Sequence, residues 1–117
     1  MFGSGLERPK LQLSCLFTIT SIEQYAAPNV HPERDVQIVF DTDHDHYLYG
    51  DVGWDKQKRL WNFYIHIDIK DGKIWIQRNM TDLDIANELV ALGVPNEDIV
   101  LAFHAQYKRQ FTEFAVN

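Results

Sequence analysis

Cysteine is almost absent from this sequence, and so are long apolar runs. Cys15 is the only cysteine among 117 residues, which excludes an internal disulfide and a metal cluster built from several thiolates. Nothing in this cysteine usage indicates an oxidising compartment, so we predict a cytoplasmic protein. No apolar run approaches the roughly 18 to 20 residues of a membrane span. We therefore expect no membrane association.

Basic residues are also scarce. Lys and Arg total 11 against 17 for Asp and Glu, which gives a formal net charge of −6. Sequence-independent binding to nucleic acid depends on cationic side chains that displace counterions from phosphates. We therefore expect no direct nucleic-acid binding, and any link to nucleic acid is expected to pass through a partner protein.

Short motifs that hold common cofactors are missing as well. The sequence contains no glycine-rich phosphate loop, no nucleophile elbow and no zinc-ligand spacing. From these absences we predict no cofactor, no catalytic residue and no metal site.

The apolar content, in contrast, is sufficient for a packed core. Hydrophobic residues make up 45% of the chain and aromatic residues 13%, values typical of a globular domain. The length suits one domain. We predict a loose leader over residues 1–10 and a single domain over residues 11–117, beginning with a helix at residues 11–27.

The clearest element is a strand that ends in a tight turn. Apolar and polar residues alternate over residues 61–70, and Asp71-Gly72 is a favoured pair for a two-residue type I′ turn. Strand 73–78 returns from this turn. With this turn, the numbers of two residues that face each other across the hairpin add up to 143. The predicted pairs are Ile69 with Ile74, Ile67 with Ile76, Asp68 with Trp75, and His66 with Gln77.

A second hairpin is predicted to precede the first. The strand at residues 46–54 follows a strand that begins at Val36–Phe40, and it joins strand 61–70 through a four-residue loop at residues 55–58. Opposite residues then sum to 113. This register places Val52 with Trp61 and Leu48 with Ile65 on the core face. On the other face it predicts these pairs: Tyr49 with Tyr64, Tyr47 with His66, and Asp45 with Asp68.

The remainder of the chain predicts helices and one further strand. Thr81 is predicted to cap a helix, with Met80 and Ile85 as its hydrophobic staple, and residues 93–95 end that helix. A buried strand at residues 99–103 and a short helix at residues 105–111 follow. The predicted fold class is α+β, an antiparallel meander sheet with helices packed on one face.

Two groups of residues could carry chemistry. The segment Asp41–His46 has carboxylates and imidazoles at alternate positions, but a solvated turn is the favoured interpretation. Asp68-Ile-Lys70 matches the end of the PD-(D/E)xK nuclease signature, and the register places Asp45 opposite Asp68. The alternative function is therefore a metal-dependent nuclease using Asp45, Asp68 and Lys70; the simpler interpretation is that Lys70 neutralises nearby carboxylates.

A family resemblance covers the chain from about residue 33 to the end. The segments that carry it are Asp51–Trp54, His66–Gln77, Thr81, Ile85–Ala86, Glu88–Val90, Gly93–Pro95, Glu97–His104 and Thr112–Val116. They closely resemble the XisI family, the fdxN element excision controlling factors of cyanobacteria. The resemblance implies a small α+β protein, not known as an enzyme, that acts with an XisH-like partner to control excision of a DNA element by a separate recombinase.

The resemblance and the predicted sheet faces together indicate a partner-binding surface. Aromatic side chains on a face outside the core are typical of interfaces. His66-Ile-Asp68 has its polar side chains on that face, and His104 follows a buried strand. The candidate partner-binding residues are Tyr47, Tyr49, Tyr64, His66, Asp68, Trp75, Gln77, His104 and Arg109. A homo-oligomer is a further possibility for this surface.

Overall fold

The structure, a computed structural model, describes residues 18–23 and 33–117. The predicted leader at residues 1–10 and most of the predicted helix at residues 11–27 lie outside the described residues. Residues 18–23 are helical, as predicted, and are called α1 here. The other elements are β1 (Arg34–Asp41), β2 (His46–Asp55), β3 (Lys58–Lys70), β4 (Lys73–Asn79), α2 (Ile85–Ala91), a 3-10 helix (Asn96–Asp98), β5 (Ile99–Leu101) and α3 (Gln106–Arg109).

The strands form one five-stranded sheet in the order β1-β2-β3-β4-β5. The first four strands make the predicted antiparallel meander. Strand β5 pairs with β4 in parallel, because the connection through α2 is long enough to bring the chain back to the same end of β4. The α+β fold class predicted from the sequence is confirmed.

The core lies on one face of this sheet, beneath α1 and α2. Ile22 of α1 and Leu89 of α2 are fully buried, and they share a cluster with the inward side chains of the strands. Those strand residues are Tyr47, Tyr49, Ile65, Ile67, Ile69, Ile74, Ile76 and Ile99. The side of the sheet that faces away from this cluster is called the outer face here.

The turn between β3 and β4 has the predicted geometry. Asp71 and Gly72 have φ of 55° and 74°, and a type I′ turn requires positive φ at both central residues. The predicted pairs Ile67 with Ile76, Asp68 with Trp75 and Ile69 with Ile74 are confirmed. The pairing of His66 with Gln77 is wrong, because the register shifts there and His66 pairs with Arg78.

A second irregularity, between β2 and β3, changes which side chains enter the core. Gly50 pairs with Phe63 and Tyr49 pairs with Ile65, so Tyr64 is an extra residue in β3. An inserted residue reverses the alternation of side chains beyond it. Trp61, predicted as a core residue, is therefore 63% exposed, whereas Tyr47 and Tyr49, predicted on the outer face, are buried.

Three smaller expectations are also corrected. Asp55 pairs with Lys58, so the β2–β3 loop has two residues instead of four. Helix α2 begins at Ile85, and its N-cap is Asp84 instead of Thr81. The Thr81 hydroxyl instead donates a hydrogen bond to the side chain of Asn79, the last residue of β4. Met80 is 63% exposed rather than part of a staple.

Candidate functional site

A polar cluster lies on the outer face near the β3–β4 turn. Because of the bulge at Tyr64, His46 rather than Asp45 pairs with Asp68. His66 lies two residues before Asp68 on β3, and side chains two apart in a strand point to the same face. The predicted pairings of Asp45 with Asp68 and of Tyr47 with His66 are therefore wrong.

The two imidazoles converge on one carboxylate oxygen. His46 Nδ1 lies 2.7 Å from Asp68 Oδ1, and His66 Nε2 lies 2.9 Å from the same oxygen. The Gln77 amide donates a hydrogen bond of 3.2 Å to the other oxygen, Oδ2. The group of His46, His66 and Asp68, called the His–Asp–His cluster here, has its three donor atoms within 4.8 Å of one another.

Two groups of the cluster, His46 and Asp68, have shifted pKa values. The hydrogen bond to Asp68 raises the pKa of His46 above its usual 6.5, although desolvation acts in the opposite direction. Burial by itself raises the pKa of Asp68, but the hydrogen bonds and charges of His46 and His66 outweigh burial, so its pKa falls below the usual 3.8. An anionic Asp68 held between two imidazoles is therefore the normal state near neutral pH.

Trp75 extends the cluster along the outer face. It pairs with Asp68 across β3 and β4, and its indole nitrogen donates to the Lys70 carbonyl at 3.0 Å. The Lys70 ammonium lies 4.1 Å from the indole ring centroid, and the Arg109 guanidinium lies 5.7 Å from it. These contacts place an aromatic ring near two cations and beside an anionic site.

The predicted partner-binding residues do not form a single surface. His66, Asp68, Gln77, Trp75 and Arg109 come together on the outer face, as the contacts above establish.

The three tyrosines of the candidate set turn toward the core instead. Tyr47 is fully buried and Tyr49 is 4% exposed. Tyr64 is half-buried against the core and donates its hydroxyl hydrogen bond to Asp51 at 3.0 Å. The prediction that Tyr47 and Tyr49 lie on a surface face is wrong.

His104 and Arg109 also have structural contacts at the C-terminal end. Arg109 donates to the backbone carbonyls of His104, at 3.0 Å, and of Val116, at 3.1 Å. The His104 ring packs against Phe103, with centroids 4.6 Å apart. Ala105, and not His104, is the N-cap of α3, so Arg109 fixes the chain around this short helix while one side of its guanidinium remains near Trp75.

The nuclease-like arrangement is not formed by the residues predicted for it. The Asp45 carboxylate accepts a hydrogen bond of 3.0 Å from the Tyr47 hydroxyl, and His46 takes the place opposite Asp68. The Lys70 ammonium lies over Trp75. Asp45 is therefore not the partner of Asp68 across β2 and β3, which the predicted nuclease site requires.

Sequence reasoning missed His46 as a member of the site. The sequence favours a solvated turn for the segment Asp41–His46, and the exposed pair of His44 and Asp41 fits this interpretation. His46 begins β2, one residue beyond that turn. The sequence does indicate that the start of β2 faces His66-Ile-Asp68. A regular register without the bulge, however, places Asp45 and not His46 opposite Asp68.

These observations define a small α+β protein whose meander sheet carries its polar and aromatic site on the face opposite the helices. The XisI family, described as XisI protein, matches residues 15–116. The chain therefore belongs to the XisI family.

Two solved structures are similar over nearly the whole chain. One is a XisI-like protein from Anabaena variabilis ATCC 29413, with 44% identity and a TM-score of 0.87. The other is the fdxN element excision controlling factor XisI from the same organism, with 34% identity and a TM-score of 0.83. Each comparison covers 92% of this chain and 99% of the other. Among curated proteins, no sequence matches this chain.

Within residues 18–23 and 33–117, no helix is long and apolar enough to cross a membrane.

Proposed function

We propose that this protein is a non-enzymatic accessory factor in the programmed excision of a DNA element, and that it acts by binding an XisH-like protein. The observation that carries the proposal is the 34% identity to an fdxN element excision controlling factor over 99% of that chain. Similarity over the full length supports a shared role more strongly than a common fold does.

The surface features of the outer face support a protein partner. Trp75 combines a large aromatic ring with two neighbouring cations, Lys70 and Arg109. Tryptophan and arginine are enriched among the residues that contribute most binding energy in interfaces. The anionic Asp68 beside them adds a polar group that can fix the orientation of a partner.

The charge of the chain supports an indirect role at DNA. With a net charge of −6, the isolated protein lacks the excess of cations that binding to phosphates requires. A controlling factor of this kind would therefore reach DNA through its partner, and the chemistry of excision would belong to a separate recombinase.

Co-purification with an XisH-like protein tests the proposal. The two full-length chains are expressed together, isolated through a tag on the partner, and then titrated against each other by calorimetry. We expect a stable complex at roughly micromolar concentration. Failure of the two chains to associate at that concentration overturns the proposal, and so does a self-associated state of this chain that excludes the partner.

A pair of tryptophan variants locates the surface. Trp75→Ala is expected to weaken the complex by about 30-fold or more, because truncation of a hot-spot residue, a class in which tryptophan is enriched, costs ~2 kcal/mol or more. Trp54→Ala is the matched control, since Trp54 is 55% exposed but lies beside the β2–β3 turn, at the other end of β3. If both variants lose binding equally, or if neither loses it, the partner does not bind at Trp75.

A further inference from the structure

We propose that His46, His66 and Asp68 form a binding site for a divalent first-row transition metal ion, for which Zn²⁺ is the fitting probe. The inference does not depend on the partner. It rests on the convergence of three donor atoms from two paired strands.

The spacing of the donor atoms suits one ion. Ligands at about 2.0 to 2.1 Å from zinc lie about 2.9 Å apart in octahedral geometry and about 3.4 Å apart in tetrahedral geometry. The two nitrogens are 2.7 and 2.9 Å from Asp68 Oδ1, and no pair of donor atoms exceeds 4.8 Å. Small rotations of the side chains are therefore enough to place an ion among all three.

The donor types select the class of ion. Imidazole nitrogen suits zinc, copper, iron and nickel, whereas Mg²⁺ and Ca²⁺ prefer sites built from oxygen ligands. Two imidazoles and one carboxylate leave at least one coordination position for water, as in open zinc sites and in the two-histidine, one-carboxylate iron sites.

Gln77 supplies the outer support that a metal carboxylate needs. Its amide bonds Asp68 Oδ2 at 3.2 Å, which orients the carboxylate and leaves Oδ1 directed at the two imidazoles. Carboxylate ligands in metal sites are regularly held by such hydrogen bonds. Gln77 reaches this position because it is the extra residue at the β3–β4 register shift.

The backbone under the site is rigid while its opening is accessible. His46 and Asp68 are paired residues of adjacent strands, so the distance between them is fixed by the sheet. The Asp68 side chain is 17% exposed and that of His46 is 54% exposed. An ion can therefore enter past His46 and contact a carboxylate that is already largely removed from water.

The pair of His44 and Asp41 provides an internal comparison. His44 Nδ1 lies 2.9 Å from Asp41 Oδ2, much as in the cluster, but the His44 side chain is 75% exposed. One imidazole and one carboxylate on the surface make a weaker site than three converging groups. His44→Ala is therefore a control that removes a histidine but leaves the proposed ligands intact.

The test uses the full-length chain after complete removal of any histidine tag and treatment with a chelator. Calorimetric titration with ZnCl₂ is expected to show saturable binding of one ion per chain. His46→Ala and Asp68→Asn should each weaken this binding by about 10-fold or more, and Gln77→Ala should weaken it by about 10-fold. His44→Ala should leave it unchanged.

A second measurement does not depend on how well the variants fold. In nuclear magnetic resonance spectra of the unmodified protein, Zn²⁺ should shift the imidazole signals of His46 and His66 and leave those of His44 and His104 in place. Absence of saturable binding overturns the proposal. So does binding that shifts His44 as strongly as His46, because that pattern indicates general attraction of the cation to an acidic surface.

Discussion

At the scale of single residues, Tyr64 links the irregular part of β3 to a buried carboxylate. Its hydroxyl donates a hydrogen bond of 3.0 Å to Asp51 Oδ1, and the Arg34 guanidinium lies 3.6 Å from Asp51 Oδ2. Asp51 is only 7% exposed. A buried carboxylate without sufficient partners is destabilising. The role of Tyr64 is therefore to satisfy Asp51, although the sequence placed it on the outer face.

Removing this hydroxyl should destabilise the fold. Tyr64→Phe is expected to lower the free energy of unfolding by about 1 to 2 kcal/mol, because a hydrogen bond to a charged group is lost. Urea denaturation measures the difference. Tyr107→Phe is the control, since Tyr107 is 66% exposed. Equal stability of Tyr64→Phe and the unmodified protein contradicts the assigned role.

The same contact predicts a change of stability at alkaline pH. Burial, followed by the hydrogen bond to Asp51, raises the pKa of Tyr64 above its usual 10.0. Because the unfolded tyrosine ionises first, this stabilisation is complete below pH 10 and is lost as the pH rises through the folded-state pKa. Urea denaturation between about pH 9 and about pH 11 should show a steeper loss for the unmodified protein than for Tyr64→Phe. If the free energy of unfolding falls equally with pH in both proteins, this account of Tyr64 is wrong.

At the scale of elements, Gly50 permits the close approach of β2 and β3 at the bulge. A Cβ atom at this position would lie 2.1 Å from the backbone oxygen of Asn62. Backbone cannot move as freely as the end of a flexible side chain, so a larger residue here must separate the strands. The bulge and the placement of His46 opposite Asp68 therefore depend on a residue without a side chain.

Substitution at two glycines separates this steric effect from backbone strain. Gly50→Ala is expected to cost about 1 to 3 kcal/mol or more through overpacking. Gly72 has φ of +74° and open space around it, so Gly72→Val should cost on the order of 1 kcal/mol through strain in the turn. Thermal and urea denaturation of both variants give the comparison. A Gly50→Ala variant more stable than Gly72→Val would disagree with this account.

The contrast between the two hairpins explains how far the sequence predicts this fold. Turn chemistry is local, so Asp71-Gly72 correctly predicts the β3–β4 turn and the pairs that follow it as far as Ile67 with Ile76. Both errors of register arise farther from the turns, where Tyr64 and Gln77 are inserted. A bulge depends on contacts between strands, which the alternation of one strand does not reveal. The site was consequently predicted in part, with His66, Asp68, Trp75 and Gln77 found and His46 missed.

At the scale of the whole molecule, charge and the position of the basic residues bear on DNA binding. Of the local basic residues, Arg59 lies 5.4 Å from the Trp54 ring and Arg109 bonds backbone carbonyls of the C-terminal segment. These two arginines are thus already used in contacts within the chain. The β2–β3 hairpin also carries Lys56 and Lys58, but the net charge of the whole chain is −6.

We therefore expect the isolated chain to bind DNA weakly or not at all. Phosphate contacts release counterions, so a true DNA-binding protein loses affinity steeply as salt rises. Fluorescence anisotropy with a labelled duplex, at low and at physiological salt, measures this directly, and Lys56→Ala with Lys58→Ala reports on the hairpin. If the XisH-like partner is added, any binding gained should persist in that double variant, because the partner would provide the cationic surface. Tight binding by this chain alone at physiological salt, abolished by the double variant, would instead make the β2–β3 hairpin a direct DNA contact.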